Sequence, residues 1–218
     1  MLKLTNYKHI IWDWNGTLIN DAWLFVDVMN NILQKRDMNT ITIKKYRDIF
    51  GFPIKNYYEK LGFNIKKESI EKLGLEFIKE YKKRQYEASL FSMTKMILSQ
   101  LSSLNIKQSI LSACHQKLLN NHLKFYTLEK YFTNIVGVNN YFAKSKITTG
   151  IELANKMQIH PNDILFIGDT KHDFEVSEKM GVDCLLINHG HNSHSQLLIT
   201  KTPIINNLMA ILDVVSIN

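Results

Sequence analysis

Six short apolar runs, separated by longer amphipathic stretches, limit the folds open to this chain of 218 residues. Short, continuous apolar runs are typical of parallel strands that are buried on both faces of a sheet. The later runs are separated by stretches of helical length and spacing, such as residues 146–157 and 174–180. This alternation predicts an α/β fold, a doubly wound, Rossmann-like parallel sheet with helices on both faces. The predicted strands cover residues 9–12, 108–111, 134–138, 163–167, 183–188 and 203–206.

The interval between the first two predicted strands is much longer than a simple connection. A right-handed crossover between parallel strands needs only a dozen or so residues that include a helix. Residues 20–90 contain helical patterns instead and no convincing strand. We therefore predict a small all-helical cap domain at residues 20–90, inserted into a core domain formed by residues 1–19 and 91–218. The helical patterns of the cap cover residues 21–36, 43–49, 54–60 and 68–86.

The composition argues against membrane and disulfide-rich classes. No apolar run approaches the ~20 residues that cross a bilayer. The first apolar cluster, residues 10–12, ends at once at Asp13, which is not a signal-peptide pattern. Cys114 and Cys184 have neither disulfide nor metal-ligand spacing. We therefore expect a cytoplasmic protein with reduced thiols and no membrane partner.

The formal net charge of +7 raises the question of a nucleic-acid partner. The lysines are spread along the chain, and the densest basic group, residues 79–84, includes Glu80 on a helical pattern. Such a group is typical of a solvated helix face, and no aromatic and basic groove is apparent. The charge therefore favours the steering of small anionic substrates over nucleic-acid binding.

Carboxylates and small hydroxyl residues follow several of the predicted strands. Residues 13–18 (DWNGTL) follow the first strand, Ser112 and Ala113 the second, and residues 168–173 (GDTKHD) the fourth. In open α/β sheets, ligands bind at the carboxyl ends of the strands. Because a buried carboxylate is costly unless it is paired or bound to a metal, carboxylates that converge there indicate a bound cation.

These motifs resemble those of the haloacid dehalogenase-like superfamily, close to its phosphoglycolate-phosphatase-type branch. The segment 13–18 resembles the first motif of that family, Ser112 the second, a lysine near Lys146 the third, and the segment 168–173 the fourth. The helical insertion after the first strand resembles the family's cap. The similarity covers essentially the whole chain, and the order and spacing of the motifs make it specific.

The resemblance implies a Mg²⁺-dependent phosphatase that hydrolyses a small phosphorylated metabolite. Asp13 would be the nucleophile and would form an aspartyl-phosphate. The implied Mg²⁺ ligands are the carboxylates of Asp13 and Asp169 and the backbone carbonyl of Asn15, with Asp173 holding a metal-bound water or orienting its neighbours. The implied phosphate-binding groups are Ser112, Ala113, Lys146 and the backbone N–H groups of Gly16 and Thr17. Lys144 is the alternative for this position. Of the two lysines, Lys146 fits the nearer relatives better.

One position departs from the family pattern. Phosphatases of the family usually carry a second aspartate two residues after the nucleophile, where this chain has Asn15. An amide cannot exchange protons near neutral pH, and the loss of a general acid–base typically costs ~10²–10⁴ in rate. His172 or Asp21 could supply the proton instead, or the leaving group could need little assistance. Alternatively, catalysis has decayed and a phosphate- or metal-binding protein of the same fold remains. We favour a working enzyme, slow or narrow in its substrates.

Two other hydrolases with an aspartate nucleophile would not need an acid at position 15. A dehalogenase dispenses with the metal, so the metal-type Asp169 argues against it. A phosphonatase would bring a Schiff-base lysine from its cap, and the candidates there are Lys44, Lys45 and Lys55.

Three further features have interpretations that need no catalytic role. The histidines of residues 189–195 (HGHNSHS) fit no standard zinc spacing, so we predict a surface loop. Asp173 could be only the N-cap of a helix over residues 174–180. Tyr57, Tyr58 and Phe63 are predicted to pack in the core of the cap.

Overall fold

A six-stranded parallel sheet forms the centre of the protein, seen in a computed structural model that describes residues 7–139 and 146–214. The strands are β1 (His9–Trp12), β2 (Ile19–Asn20), β3 (Ser89–Leu90), β4 (Lys107–His115), β5 (Asn134–Val138), β6 (Ile164–Gly168), β7 (Asp183–Ile187) and β8 (Ile204–Ile205). The order in the sheet is β5-β4-β1-β6-β7-β8, and every neighbouring pair is parallel. The six predicted strands and the α/β fold class are confirmed.

The strand β1 lies at the point where the strand order reverses. The chain runs from β1 to β4 and β5 on one side, and then to β6, β7 and β8 on the other. In such sheets the ligand crevice lies at the carboxyl ends of the strands at this switch point. The ends of β1, β4 and β6 are therefore the expected location of the site.

Both faces of β1 are buried, which explains its continuous apolar sequence. Ile10 and Trp12 pack into the large hydrophobic core on one face, with Ile167 of the neighbouring strand β6. Ile11 points to the opposite face and packs with Leu111 and Phe166. A strand with two buried faces shows no alternation of apolar and polar residues.

Helices cover the sheet and form the insertion. The α-helices are α1 (Ala22–Gln34), α2 (Ile43–Ile49), α3 (Ile54–Lys60), α4 (Ile70–Arg84), α5 (Thr94–Ser103), α6 (Gln116–Phe125), α7 (Ile147–Met157), α8 (Lys171–Met180), α9 (His194–Leu198) and α10 (Ile211–Val214). Short 3₁₀ helices span Glu129–Tyr131, Pro161–Asp163 and Leu208–Ala210. The helices α1 to α4 follow the first strand, so the predicted helical insertion is confirmed. Within the described ranges, no helix is long and apolar enough to cross a membrane.

A two-stranded ribbon joins the insertion to the rest of the chain. Ile19 pairs with Leu90 and Asn20 with Ser89, and the two strands are antiparallel. The prediction that residues 20–90 contain no strand is therefore wrong at both ends. Strands of two residues are too short to give a detectable period in the sequence. The division into domains at residues 20–90 stays a prediction.

The helices of the insertion share an aromatic core. Tyr57, Tyr58 and Phe63 are buried, and the rings of Tyr58 and Phe63 meet edge to face with their centroids 5.4 Å apart. The prediction that these residues pack in the cap core is confirmed. Arg36, just after α1, donates to Glu76 of α4 with Nη2 and Oε2 2.6 Å apart, which ties the two helices together.

Candidate active site

The candidate nucleophile and the first acidic residue of the fourth motif are adjacent because their strands are neighbours. Trp12, the last residue of β1, is in register with Ile167 of β6. Asp13 follows directly, and its backbone N–H donates to the carbonyl of Ile167 over 2.8 Å. Asp169 follows β6, so both carboxylates lie at the same edge of the sheet. On the other side of β1, the strand β4 brings Ser112 to that edge.

Three buried carboxylates come together there. Oxygen atoms of Asp13, Asp169 and Asp173 lie within 4.8 Å of one another. The Lys146 side chain is 2% exposed; its ammonium contacts Asp13 and lies 2.7 Å from Asp173 Oδ1. It also donates to the carbonyl of Leu111 over 3.1 Å. One ammonium thus faces three carboxylates, which leaves an excess of buried negative charge.

The pKa values reflect this excess. Burial raises the pKa of Asp13 to about 8, against the opposing charge of Lys146. Burial likewise raises the pKa of Asp169 to about 6. Burial would also raise the pKa of Asp173, but the Lys146 ammonium and the hydrogen bonds to the Asp173 carboxylate lower it below its usual value. The positive charge near the buried carboxylates of Asp13 and Asp169 is therefore too small to offset their burial.

A divalent cation fits this arrangement. The cluster offers only oxygen donors, and Mg²⁺ is bound through one or two carboxylates together with water and substrate oxygens. A cation would supply the charge that two buried carboxylates lack. The buried group of Asp13, Asp169 and Asp173 is thus consistent with a Mg²⁺ site.

Asp173 is held inside the first turn of α8 and does not cap it. Thr170 is the N-cap, and it forms a capping box with Asp173. Asp173 Oδ2 accepts from the backbone N–H groups of Thr170, over 2.9 Å, and of Asp169, over 3.1 Å. The alternative that Asp173 caps a helix over residues 174–180 is wrong, because the helix begins at Lys171. Asp173 instead fixes the loop that carries Asp169.

Asp21 is the centre of a second buried network beside the candidate nucleophile. Its carboxylate accepts from Asn15 Nδ2 over 2.6 Å and from the backbone N–H of Gly16 over 3.1 Å. It also accepts from the hydroxyl of Tyr81 over 3.2 Å and lies 3.1 Å from His191 Nε2. Asp21 therefore joins the loop after β1 to the cap helix α4 and to the loop after β7.

His191 is part of the site, contrary to the prediction of a surface loop. Gly190, His191 and Asn192 are buried, whereas His194 and Ser195 of the same segment are exposed. The backbone N–H of His191 donates to Asp169 Oδ2 over 2.6 Å. Burial opposes the charge of the His191 ring, but the hydrogen bond and charge of Asp21 raise its pKa. The surface-loop prediction is thus wrong for residues 190–192.

Gly190 was the signal that could have located this loop. A Cβ atom at that position would lie 2.0 Å from Asp169 Oδ2 and 2.5 Å from the carbonyl oxygen of Gly16. A glycine between two histidines therefore marks a close approach of the backbone to the acidic cluster.

The predicted phosphate-binding groups fall into two sets. The backbone N–H groups of Gly16 and Thr17 already donate within their own loop, to the carbonyls of Ile19 and Trp14 respectively. The Thr17 hydroxyl donates to Asp169 Oδ1 over 2.7 Å. A phosphate role for these two residues stays a prediction.

The other three predicted groups lie against one cavity. Ser112, Ala113 and Lys146 line it together with Asp13 and Asn15. Lys146 contacts the candidate nucleophile Asp13, and its role as the lysine of the third motif stays a prediction; Lys144 lies outside the described residues.

His172, the other candidate proton donor, also lines the cavity. Its ring stacks on Phe52 with centroids 4.4 Å apart, and its Nδ1 lies 3.3 Å from Glu175 Oε2. Burial and the charge of Lys146 lower the pKa of His172. The ring is therefore neutral near pH 7 and makes a poor acid.

The fold and the site define an α/β protein with an aspartate at the end of its first strand and a buried acidic cluster beside it. Residues 10–187 match the family described as haloacid dehalogenase-like hydrolase. This chain belongs to the haloacid dehalogenase-like hydrolase family, and the family and the hydrolase activity predicted from the motifs are confirmed.

One curated relative and several solved structures are similar to the chain. A phosphoglycolate phosphatase of Yersinia pestis is 22% identical over 117 residues, which are 53% of this chain and 50% of that protein. The match thus spans about half the length of the relative. A predicted phosphatase from Clostridium acetobutylicum has a TM-score of 0.82 and 19% identity, covering 96% of this chain and 98% of that one. A predicted phosphoglycolate phosphatase from Haemophilus somnus has a TM-score of 0.81 and 17% identity, with coverages of 97% and 99%. At these identities the structures show the fold alone.

Proposed function

We propose that this protein is a Mg²⁺-dependent phosphatase that hydrolyses a small phosphate ester through an aspartyl-phosphate on Asp13. The observation that carries the proposal is the contact between Asp13 and Lys146 within the cluster that includes Asp169 and Asp173. A nucleophilic carboxylate at a strand end, a buried ammonium beside it and further carboxylates for a cation are the groups that this chemistry needs.

Two displacements at phosphorus make up the reaction. In the first, an oxygen of Asp13 bonds to phosphorus while the bond to the ester oxygen breaks, and the leaving oxygen keeps the electron pair. In the second, a water oxygen attacks the aspartyl-phosphate, the bond to Asp13 breaks, and inorganic phosphate is released with a proton. Splitting the hydrolysis in this way replaces one difficult step by two easier ones.

The residues around Asp13 bind and orient the phosphoryl group. Lys146 and Ser112 line the cavity at Asp13, where an ammonium and a hydroxyl can hold phosphoryl oxygens. Mg²⁺, held by Asp13, Asp169 and the backbone carbonyl of Asn15, would offset the repulsion between the carboxylate and the phosphate.

Asn15 limits the rate. Its amide donates to Asp21 and carries no exchangeable acid proton for the leaving oxygen. We infer a slow or narrow enzyme, because a general acid typically contributes ~10²–10⁴ in rate.

The same observation favours a second candidate, a catalytically impaired phosphate- or metal-binding protein of this fold. By contrast, nothing supports a phosphonatase. Lys44, Lys45 and Lys55 are exposed, and none of the three is among the described residues that line the cavity.

One assay tests the proposal. The native protein, Asp13→Asn and Asn15→Asp would be incubated with Mg²⁺ and a panel of phosphate monoesters, acyl phosphates and a phosphonate. We expect metal-dependent phosphate release by the native protein and none by Asp13→Asn. Turnover that appears only in Asn15→Asp would establish the impaired binding protein instead, and metal-independent turnover would reject the phosphatase.

A further inference from the structure

An aromatic cavity lies between the cap helices and the acidic cluster. It has a volume of 150 Å³ and extends from Asp13 and Lys146 to Gly74 and Ile78 of α4. Most of its wall is apolar, and the rings that line it include Phe25, Phe50, Phe52, Tyr57, Phe77 and Tyr81. A substrate whose phosphoryl group meets Asp13 must place its leaving group in this cavity.

The cavity offers no free positive charge to a leaving group. Lys146 is the only lysine or arginine among the described residues that line it, and it already contacts Asp13 and Asp173. Arg47 lies nearby, but its guanidinium donates to the backbone carbonyls of Gly190 and His189 over 2.8 and 2.9 Å.

The histidines that line the cavity are largely engaged by other groups. The His172 ring stacks on Phe52 and its Nδ1 lies 3.3 Å from Glu175 Oε2. His115 Nδ1 accepts from the backbone N–H of Lys117 over 3.2 Å. The His191 ring lies against Asp21 and Tyr46, which occupy both of its nitrogens. A carboxylate on the leaving group would meet no free lysine or arginine in the described wall, only the unpartnered Tyr57 hydroxyl and His172 Nε2, so its burial would be costly.

We propose that the substrate is an aryl phosphate monoester whose uncharged aromatic leaving group fills this cavity. This inference rests on the proposed phosphatase function and names its substrate class. The volume limits the leaving group to a single ring at most, since an apolar cavity of about 150 Å³ binds benzene. Rings such as Phe50 and Tyr57, which meet edge to face with centroids 5.3 Å apart, offer the contacts that aromatic ligands prefer.

The presence of Asn15 favours the same class of substrate, an aryl phosphate monoester, on chemical grounds. A phenol, like the tyrosine side chain, has a pKa of about 10, so a phenolate can leave phosphorus without a proton. An aliphatic alkoxide is far more basic and needs the general acid that Asn15 cannot be. The chemistry of the loop and the shape of the cavity thus select the same kind of ester.

Binding to the native protein tests the inference independently of turnover. Isothermal titration calorimetry with Mg²⁺ would compare phenylphosphonate with phosphonoacetate, which are not hydrolysed as esters and differ in the ring and the carboxylate. We expect phenylphosphonate to bind at least tenfold more tightly. Equal binding, or tighter binding of phosphonoacetate, would overturn the inference.

Turnover then separates this inference from the proposed function. The ratio kcat/KM for phenyl phosphate should exceed that for cyclohexyl phosphate and for phosphoglycolate at least tenfold. If no ester is hydrolysed but phenylphosphonate still binds preferentially, the phosphatase proposal fails and the aromatic site remains. If phosphoglycolate is preferred, the phosphatase proposal stands and the aromatic site is rejected.

A cavity-filling variant locates the binding site. Gly74 lies inside α4, where leucine is a better helix former than glycine, and its backbone lines the cavity. Gly74→Leu should weaken phenylphosphonate binding at least tenfold and leave the binding of inorganic phosphate unchanged. Leu75→Met, at an exposed position of the same helix, is the matched control and should change neither. Ile78→Phe fills the cavity from another position if Gly74→Leu does not fold, and unchanged binding in a folded variant would contradict the assignment.

Discussion

The side-chain amide of Asn15 donates a hydrogen bond to the carboxylate of Asp21, with Nδ2 and Oδ2 2.6 Å apart. Asp21 is fully buried and also accepts from Gly16 and Tyr81. An aspartate in place of Asn15 would therefore face a second carboxylate at hydrogen-bond distance. Asn15, which makes this site unusual for a phosphatase, is therefore the residue that suits the neighbouring carboxylate of Asp21.

Asn15→Asp should lower the free energy of unfolding at pH 7 by about 1–3 kcal/mol, because it replaces a partly buried hydrogen bond by two like charges. The repulsion raises the pKa of the introduced carboxylate in the folded state. The penalty is therefore absent below the unfolded pKa of about 4 and grows as the pH rises. Urea denaturation at pH 7 and pH 5 measures this difference, and a variant as stable as the native protein at both pH values would contradict the contact.

The double variant Asn15→Asp with Asp21→Asn should recover much of that stability, because it restores one amide and one carboxylate with their positions exchanged. It also places an ionisable group where phosphatases of the family carry their acid. We expect kcat for an alkyl phosphate to rise by about 10²-fold. Steady-state kinetics on both single variants and the double variant test this, and additive effects would show that the two positions are not coupled.

Lys146→Met should destabilise the protein by about 3–5 kcal/mol at pH 7 in the presence of a chelator, because it leaves the carboxylates of Asp13 and Asp173 buried without their cationic partner. Saturating Mg²⁺ should recover part of the loss, since a ligand that binds only the folded state stabilises it. The matched control is Lys171→Met: Lys171 is half exposed and lies 3.7 Å from Glu175, so its loss should have little effect. Equal effects of the two variants in urea denaturation would argue against the buried cluster.

Gly190→Ala should disrupt the acidic cluster, because its Cβ would lie 2.0 Å from Asp169 Oδ2. We expect a loss of stability of about 1–3 kcal/mol from overpacking and weaker Mg²⁺ binding by calorimetry. A Cβ at Gly51 would meet no atom within 4 Å, so Gly51→Ala is the matched control and should leave Mg²⁺ binding unchanged. Unaltered Mg²⁺ affinity in Gly190→Ala would show that Asp169 is not a ligand.

The parts of the site that could be predicted from the sequence are those carried by strands. Apolar runs mark where strands end, so the positions of Asp13, Ser112 and Asp169 followed from one parallel sheet. The pairing of Asp21 with His191 joins residues separated by 170 positions, and apart from the neighbouring Gly190 no local pattern distinguishes buried His191 from exposed His194 in the same segment. The helices of the cap determine which loops of the core are buried. The contacts between the cap and the sheet leave no periodic pattern in the sequence.

His122 should make the stability of the protein sensitive to acid. Trp14 Nε1 can only donate, so His122 Nδ1 accepts its hydrogen bond over 3.0 Å, and His122 Nε2 donates to Gln85 Oε1 over 3.0 Å. The ring is thus held in one neutral form, packed against Tyr81 and Tyr86. Burial lowers its pKa from 6.5 to about 4, although the charge of Asp21 opposes the shift.

Between pH 6.5 and 4 the unfolded chain binds a proton at His122 and the folded protein does not. The contribution of the neutral ring to the stability of the fold is therefore fully present above pH 6.5 and is lost as the pH falls through this window. The contribution of this one ring amounts to about 3 kcal/mol at most. His9 and His189 also have pKa values lowered to about 4 by burial, so the native protein should lose stability in the same range through several groups.

In His122→Asn an amide oxygen can still accept from Trp14, but nothing titrates at that position. Urea denaturation at several pH values from 7 to 4 should therefore give a shallower fall for His122→Asn than for the native protein. Parallel curves would mean that His122 is not held neutral in the fold.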